Sequence, residues 1–266
     1  MLDSRDLRNP RLLQEQYAHA TPWPHLVVDD VVPRALTAEV TAEVGGLPRD
    51  ALVQRRSRRQ VKLASATPRD LGPRTRLLLD ALAAPALTEL VEAVTAIAGL
   101  QADPAFCRAG VFVTPPGGWQ RVHEDFPVHP HTGLWNRVIV LLYCSDWVPG
   151  WGGELELWPA DMSSGPRRIE PRPGRLVVFE PTSAHPHGIE ALTPAANARV
   201  VLASRLYARE APLDRPSPPL LRWTHRPGEH RRDVWPTASE AARELRARVH
   251  RSLDPRARNG ARDSDY

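Results

Sequence analysis

The segment HEDFPVHPH, at residues 123–131, contains three histidines and two acidic residues. If it begins on a strand, residues i and i+2 project from one face, so His123 and Asp125 can point at the same ion while Glu124 points away. One histidine and one carboxylate are two of the three ligands of the 2-His-1-carboxylate site that binds non-haem Fe(II). This short pattern is common by chance, so a third ligand must come from elsewhere.

Two further histidines, His185 and His187, follow the apolar stretch RLVVF, and Arg199 opens the apolar stretch RVVLASRLY. Burying an arginine is costly unless an anion meets it, and the planar guanidinium pairs in two-pronged fashion with a carboxylate. Without the histidines, a strand-end arginine in solvent would be the better interpretation. With them, the pattern predicts a metal ligand and an anion-binding arginine near each other.

The later part of the opening segment, with His129 and His131, contains two prolines and is followed by a glycine. This composition predicts a loop, in which the two histidines face solvent or, as the alternative, border a substrate entrance.

The elements that must position these residues change along the chain. A proline-bounded strand is predicted in 21–33, a short helix in 36–46, a solvated arginine-rich loop at 54–60, and a helix in 84–100 capped by Gly99. From about residue 106 the apolar period becomes two, which predicts strands in FCRAGVFV, WNRVIVLLYC, GGELELW, GRLVVF and ARVVLASRLY.

Two local patterns add detail to these strands. Pro173 and Gly174 suit the central positions of a type II turn. In GGELELW the two leucines are expected to face the core and the two glutamates the other side. The fold class is therefore predicted as mainly β with flanking helices, in the α+β class.

The chain has 266 residues, 42% of them hydrophobic, which is enough for a sizeable core. We predict one domain over 1–210, with a helical part over about 1–100 and a β core over about 101–210. Residues 211–266 form a proline- and arginine-rich extension, with a helix at about 237–251 and a disordered tail. This extension contains 12 arginines and 8 acidic residues, which accounts for the whole formal net charge of +4, so residues 1–210 are formally neutral. Nucleic acid is therefore not an expected partner of the main body.

Cys107 and Cys144, the two cysteines, lie in apolar stretches and do not suggest a disulfide framework. No apolar run is long enough to span a membrane, and the charged beginning does not resemble a signal peptide. These features predict a cytoplasmic protein without a membrane partner.

Several motifs together resemble the Fe(II)- and 2-oxoglutarate-dependent oxygenases of the prolyl hydroxylase type. They are PHLVVDDVVP, HED, NRVIVLLYCSDW, WGGELELW, PGRLVVF, HPHGIEAL and RVVLASRLY, in that order over residues 24–207. The resemblance implies a double-stranded β-helix (jelly roll) core. It also implies iron ligands His123, Asp125 and a distal histidine, with Arg199 on the far carboxylate of 2-oxoglutarate.

Two residues remain open within this resemblance. For the distal histidine, the spacing from Phe179 and the following Gly-Ile favour His187, whereas the SAHP sequence would favour His185. Tyr143 occupies a position where related hydroxylases place a tyrosine against 2-oxoglutarate, although a tyrosine packed in the core would look the same.

The resemblance implies the cofactor Fe(II), the cosubstrate 2-oxoglutarate and O2, with ascorbate as a candidate supporting reductant. The expected reaction is hydroxylation of an unactivated C–H bond in an amino acid, a peptidyl residue or a small peptide-like metabolite, coupled to conversion of 2-oxoglutarate to succinate. The carboxylate of Asp125 argues against a halogenase of this family. The alternatives are a catalytically silent metal- or ligand-binding protein of the same fold, and a nucleic-acid-binding protein acting through the basic C-terminal helix.

Overall fold

A computed structural model describes residue 2 and residues 6–48, 50–65, 71–213 and 222–230. The helices are a 3₁₀ helix (Asp6–Arg8), α1 (Pro10–Ala18), α2 (Arg34–Gly45), α3 (Pro73–Leu82) and α4 (Pro85–Thr95). The strands are β1 (His25–Val28), β2 (Leu52–Arg56), β3 (Gln60–Ser65), β4 (Gln101–Ala102), β5 (Gly110–Thr114), β6 (Trp119–Glu124), β7 (Trp135–Tyr143), β8 (Leu155–Leu157), β9 (Arg167–Ile169), β10 (Leu176–Phe179), β11 (His187–Ile189), β12 (Arg199–Ala208) and β13 (Arg222–Trp223).

The strands form one antiparallel sheet in the order β1-β10-β7-β12-β5-β3-β6-β11-β8-β9, and β2, β4 and β13 add to β3, β12 and β6. One apolar cluster contains residues from both ends of this order, for example Val177 of β10 and Leu157 of β8. The sheet must therefore curl until its ends face each other. This confirms the predicted double-stranded β-helix with flanking helices.

The long strand β12 separates two cores because its side chains alternate between faces. Val200, Leu202 and Leu206 belong to the cluster that includes the helices, whereas Val201 belongs to the cluster inside the curled sheet. By the same alternation Arg199 and Arg205 lie on the inner face, with Val201. The curled sheet therefore carries two arginines onto the face that also holds this inner apolar cluster.

Several local predictions are confirmed. Helix α2 lies where it was predicted, and the core strands β5, β7, β8, β10 and β12 coincide with the predicted stretches to within one residue at their ends or lie inside them. Gly174 has φ +81°, and Arg175 N–H donates to the carbonyl of Arg172 at 3.1 Å, as the predicted turn requires. Both cysteines are buried and free.

Three local predictions are wrong wholly or in part. Residues 54–60 are not one continuous loop: 54–56 end β2, 57–59 form the turn and residue 60 begins β3, which joins β5 to β6. Helix α4 ends before Gly99, because Ala96 takes the left-handed conformation at φ +57°. The leucines of β8 pack in a core cluster as expected, but the strand does not have only one buried side, since Glu156 is 2% exposed.

The burial of Glu156 is explained by residues near the C-terminus. Arg226 Nε donates to Glu156 Oε2 at 2.8 Å, and Arg226 Nη2 donates to the carbonyl oxygens of Gln120 and Ile189. Gly188 makes room for this guanidinium, because a Cβ there would lie 3.2 Å from Arg226 Nη2. Residues 222–230 are thereby joined to strands β6, β8 and β11.

The predicted helix at 237–251 and the predicted disordered tail lie outside the described residues. Among the helices that the structure describes, none combines the length and apolar character needed to cross a membrane.

Replacing Arg226 by Met should lower the free energy of unfolding by about 2 to 3 kcal/mol, because it leaves the buried Glu156 carboxylate without its cation. Urea unfolding of the full chain measures this change. The control is Arg168→Met, which removes the more exposed Arg168–Glu190 pair and should change the free energy by less than about 1 kcal/mol. Adding Glu156→Gln to Arg226→Met should recover part of the loss, and equal effects of Arg226→Met and Arg168→Met would contradict the assignment.

Candidate metal centre

The pairing of β6 with β11 brings two of the predicted metal ligands together. His123 and His187 are direct cross-strand partners, and their ring centroids are 4.5 Å apart. Asp125 follows β6 directly and completes a group whose ligand atoms all lie within 4.8 Å of one another. All three side chains are buried, so the group could hold one metal ion inside the curled sheet.

The two imidazoles are oriented by hydrogen bonds to their own strands. His123 Nδ1–H donates to the carbonyl of Arg121 at 3.0 Å, and His187 Nδ1–H donates to the carbonyl of His185 at 3.1 Å. Each Nε2 is therefore directed to the centre with its lone pair available, as metal-binding histidines usually are. Burial lowers the pKa of His123 to about 3, so this ring is neutral at physiological pH.

Asp125 is held in its charged form by a residue that the sequence analysis did not single out. Burial alone would raise the pKa of the Asp125 carboxyl, but the neighbouring Arg205 and the two histidines hold it well below its usual range. Arg205 Nη2 donates to Asp125 Oδ1 at 3.0 Å. The carboxylate is thus anionic and fixed in position, as a metal ligand must be.

A bulge in β6 adds a further polar side chain to the centre. His187 pairs with His123, but Ile189 pairs with Gln120, so β6 has one more residue than β11 between the two pairs. Gln120 and His123 consequently lie on the same side, and Gln120 Nε2 lies 3.1 Å from His123 Nε2. A metal ion that takes this lone pair must displace the Gln120 amide.

Gln120 also connects the centre to Lys62, the single lysine of the chain. Lys62 Nζ donates to Gln120 Oε1 at 3.1 Å and lies 4.7 Å from the centroid of the Phe112 ring. Sequence reasoning missed Lys62 because residues 54–60, just before it, were predicted as a solvated loop and no strand was predicted around residue 62. The signal in the sequence that could have pointed to Lys62 is that it is the one lysine in a chain whose other basic residues of this class are arginines.

Arg199 and Tyr143 form a separate polar pair inside the sheet. Arg199 is 4% exposed and Tyr143 is fully buried. Arg199 Nη2 donates to the Tyr143 hydroxyl at 3.2 Å, whereas Arg199 Nε and Nη1 have no hydrogen-bond partner among the described residues. A buried guanidinium with two unused donor groups fits an anion that the protein itself does not supply.

Gly153 of the WGGELELW motif lies beside this arginine. A Cβ at Gly153 would lie in ordinary contact with Arg199 Cδ at 3.4 Å but only 2.5 Å from a methyl carbon of Leu192, and Gly153 has φ +81°. A larger residue would therefore be strained and would displace the Leu192 side chain.

Of the two candidate distal histidines, the structure brings His187 and not His185 to the centre. The His185 ring stacks on Trp23 with centroids 4.6 Å apart, and His185 Nδ1–H donates to the carbonyl of Glu180 at 2.6 Å. His185 precedes β11 and ends a turn in which its N–H donates to the carbonyl of Thr182, so the two histidines do not share a strand face.

His129 does not face solvent, contrary to the favoured prediction. It is 7% exposed, its Nδ1 accepts hydrogen bonds from the backbone N–H groups of His131 and Thr132, and its Nε2–H donates to Asp103 at 3.3 Å. Cys107 lies close enough for the three side chains to bind an ion. The hydrogen bonds already satisfy the imidazole, so we interpret it as the anchor of its loop, in which His131 is exposed.

Trp223 of β13 packs on the candidate centre from the C-terminal side. It pairs with His123 across the β6–β13 ladder, and its ring lies 5.1 Å from the His123 ring. The proline- and arginine-rich segment therefore supplies a wall of the centre, a role that its composition did not suggest.

Residues 109–206 match the sequence model of the 2OG-Fe(II) oxygenase superfamily. The match begins one residue before β5 and ends two residues before the end of β12. The chain has no match among curated protein sequences. The family match confirms the resemblance seen in the motifs. It supports an enzyme of the dioxygenase class that uses Fe(II), 2-oxoglutarate and O2.

Solved structures share this fold at low sequence identity. A prolyl-4-hydroxylase from Pseudomonas putida is 19% identical with a TM-score of 0.54, covering 76% of this chain and 100% of that chain. A prolyl 4-hydroxylase from Phytophthora capsici is 18% identical with a TM-score of 0.56, covering 97% and 78%. A prolyl hydroxylase from Trichoplax adhaerens, in complex with a peptide fragment of the hypoxia inducible factor, is 15% identical with a TM-score of 0.52, covering 77% and 93%.

The geometry distinguishes the two distal histidines in a metal-binding experiment. His187→Ala should weaken Zn(II) binding to the full chain by at least about 100-fold, since it removes a ligand rather than a supporting group. His185→Ala should leave the affinity nearly unchanged, because the His185 ring stacks on Trp23 and donates to the carbonyl of Glu180 instead of facing the centre. Calorimetric titration measures both, and a larger loss for His185→Ala would reverse the assignment.

Proposed function

We propose that this protein is an Fe(II)- and 2-oxoglutarate-dependent hydroxylase, in which His123, Asp125 and His187 bind the iron. The observation that carries the proposal is Arg199, which lies on the inner face of β12. Its buried Nε and Nη1 atoms have no hydrogen-bond partner among the described residues. Such an arginine needs an anion, and 2-oxoglutarate has a carboxylate at each end.

The donor atoms present fit this metal. Two neutral imidazoles and one carboxylate are the ligand set that non-haem Fe(II) enzymes use, and three ligands leave other positions open for cosubstrate and oxygen. When bound, Fe(II) with O2 and 2-oxoglutarate supplies an oxidant that converts a C–H bond to C–OH, while 2-oxoglutarate becomes succinate and CO2. The hard chemistry belongs to these groups, and the protein supplies binding and orientation.

In this proposal the chain's own residues hold the end of the cosubstrate that lies far from the metal. Arg199 binds the carboxylate far from the metal, with the Tyr143 hydroxyl as a second donor, since Tyr143 O accepts from Arg199 and its own proton is free for the ligand. Burial raises the pKa of Tyr143, so the hydroxyl stays protonated. The apolar cluster around Tyr143, which includes Val201 and Phe179, keeps water away from this contact.

For the substrate we propose an amino acid, a peptidyl residue or a small peptide-like metabolite. The solved structures that share this fold are prolyl hydroxylases by name, and one of them is bound to a peptide fragment. The cytoplasm remains the proposed location, in keeping with two cysteines that are buried and free.

The full chain with Fe(II), 2-oxoglutarate and O2 should form succinate, at least slowly and without substrate. Arg199→Met should reduce this turnover by at least about 100-fold, because a charge-assisted contact is lost and binding of the dianion is disfavoured. Tyr143→Phe should raise the KM for 2-oxoglutarate by about tenfold, the effect of one lost hydrogen bond. Chromatographic assay of succinate measures both variants.

The matched control is Arg168→Met, an arginine outside the centre whose loss should leave succinate formation unchanged. Absence of succinate from the wild-type protein, with Fe(II) bound, would instead indicate a binding protein of the same fold that does not oxidise anything.

A further inference from the structure

We propose that the substrate of this centre carries a carboxylate, and that Lys62 on strand β3 is the residue that recognises it. The inference rests on the proposed function and narrows it, because it selects molecules with a free acid group over residues inside a peptide chain. Lys62 lies outside the segment that matches the oxygenase family.

Lys62 is positioned to reach a substrate bound at the metal. It is linked to the centre by two hydrogen bonds in series, from Nζ to Gln120 Oε1 and from Gln120 Nε2 to His123 Nε2, each 3.1 Å long. An anion on Nζ would therefore lie next to the metal ligands. The ammonium has three N–H donors, and Gln120 is its one hydrogen-bond acceptor within the described part of the chain.

Arg205 adds a second cation at the centre, in contact with Asp125. Its Nε donates to the carbonyl of Arg108 and its Nη2 to Asp125, whereas its Nη1 is buried without a hydrogen-bond partner among the residues described. Arg205 therefore has a donor left for a ligand at the metal.

The electrostatics of the centre also favour an anionic substrate. Burial lowers the pKa of Lys62 to about 7. The negative charge of Asp125 opposes this shift, whereas the positive charges of Arg205, Arg55 and Arg199 add to it. If 2-oxoglutarate offsets the charge of Fe(II), and Asp125 that of Arg205, the charge of Arg199 remains, and that of Lys62 is added whenever Lys62 is protonated. A carboxylate beside Lys62 reduces this excess.

The β2–β3 hairpin that carries Lys62 has the same sign of charge. Residues 52–65 contain four arginines and this lysine but no aspartate or glutamate. Arg59 lies over Trp223, which packs on His123, so the hairpin borders the centre. A rim of one sign raises the local concentration of an anion and speeds its association.

A binding experiment tests this without any turnover. The full chain is loaded with Zn(II), which has no redox chemistry, and saturated with 2-oxoglutarate, so that Arg199 is occupied. Each of the common L-amino acids is then titrated calorimetrically as free acid, free carboxamide, N-acetyl acid and N-acetyl carboxamide. The last form is the simplest substitute for a residue within a peptide.

For at least one amino acid, we expect the compound with a free carboxylate to bind at least about tenfold more tightly than the matching carboxamide, the effect of one charge-assisted contact. Free acid is compared with free carboxamide, and N-acetyl acid with N-acetyl carboxamide. Lys62→Met should remove this difference, and Lys62→Arg should retain it. Arg56→Met, an exposed arginine of the same hairpin, should bind acids as the wild type does.

Carboxamides that bind as tightly as acids, acids that do not bind at all, or an acid preference that survives Lys62→Met would each overturn the proposal. The comparison of acids with carboxamides in the wild type stands even if Lys62→Met fails to fold. Because Zn(II) replaces Fe(II), the result is also independent of succinate formation, and a failure of the proposed function is recognised separately.

Discussion

The antiparallel pairing of β6 with β11 is the interaction on which the candidate centre depends. It places His123 opposite His187 and presents both Nε2 atoms on the inner face, while Asp125 follows from the end of the same strand. Both strands belong to the short half of the sheet, in which β8 and β11 have three residues each. The ion pair of Glu156 with Arg226 joins this half to the C-terminal segment, so the position of the metal ligands depends on a contact far away in sequence.

The second constraint is electrostatic. A curled sheet of this size would normally be filled by apolar side chains, yet this one contains Arg199, Arg205 and Lys62, of which Arg205 pairs with the carboxylate of Asp125. Burying cations costs free energy unless anions compensate them. Asp125 compensates Arg205, and the remaining donors are understandable only if ligands complete the site. Cosubstrate binding and substrate binding are then two parts of the same charge compensation.

The sequence predicted the elements whose pattern is local. Alternating apolar residues identified the core strands, and the turn at Gly174 followed from residue type. The pairing of His123 with a distal histidine was implied by the family resemblance, which left His187 and His185 as alternatives, and the structure places His187 opposite His123. The β2–β3 hairpin was missed because its arginines resemble a solvated loop, and what makes it a strand is pairing with β5 and β6, which are distant in sequence. Arg205 was hidden for the same reason, since its partner Asp125 is supplied by another strand.

Gln120 shows how the backbone couples the two parts of the site. The extra residue in β6 turns its side chain to the face of His123, where its amide can contact His123 Nε2 and Lys62 Nζ at once. A metal on His123 would remove the first of these contacts and leave the amide N–H without that acceptor, whereas the contact of Gln120 Oε1 with Lys62 uses a different atom. The bulge therefore places one side chain in contact with both a candidate metal ligand and the lysine proposed to bind the substrate carboxylate.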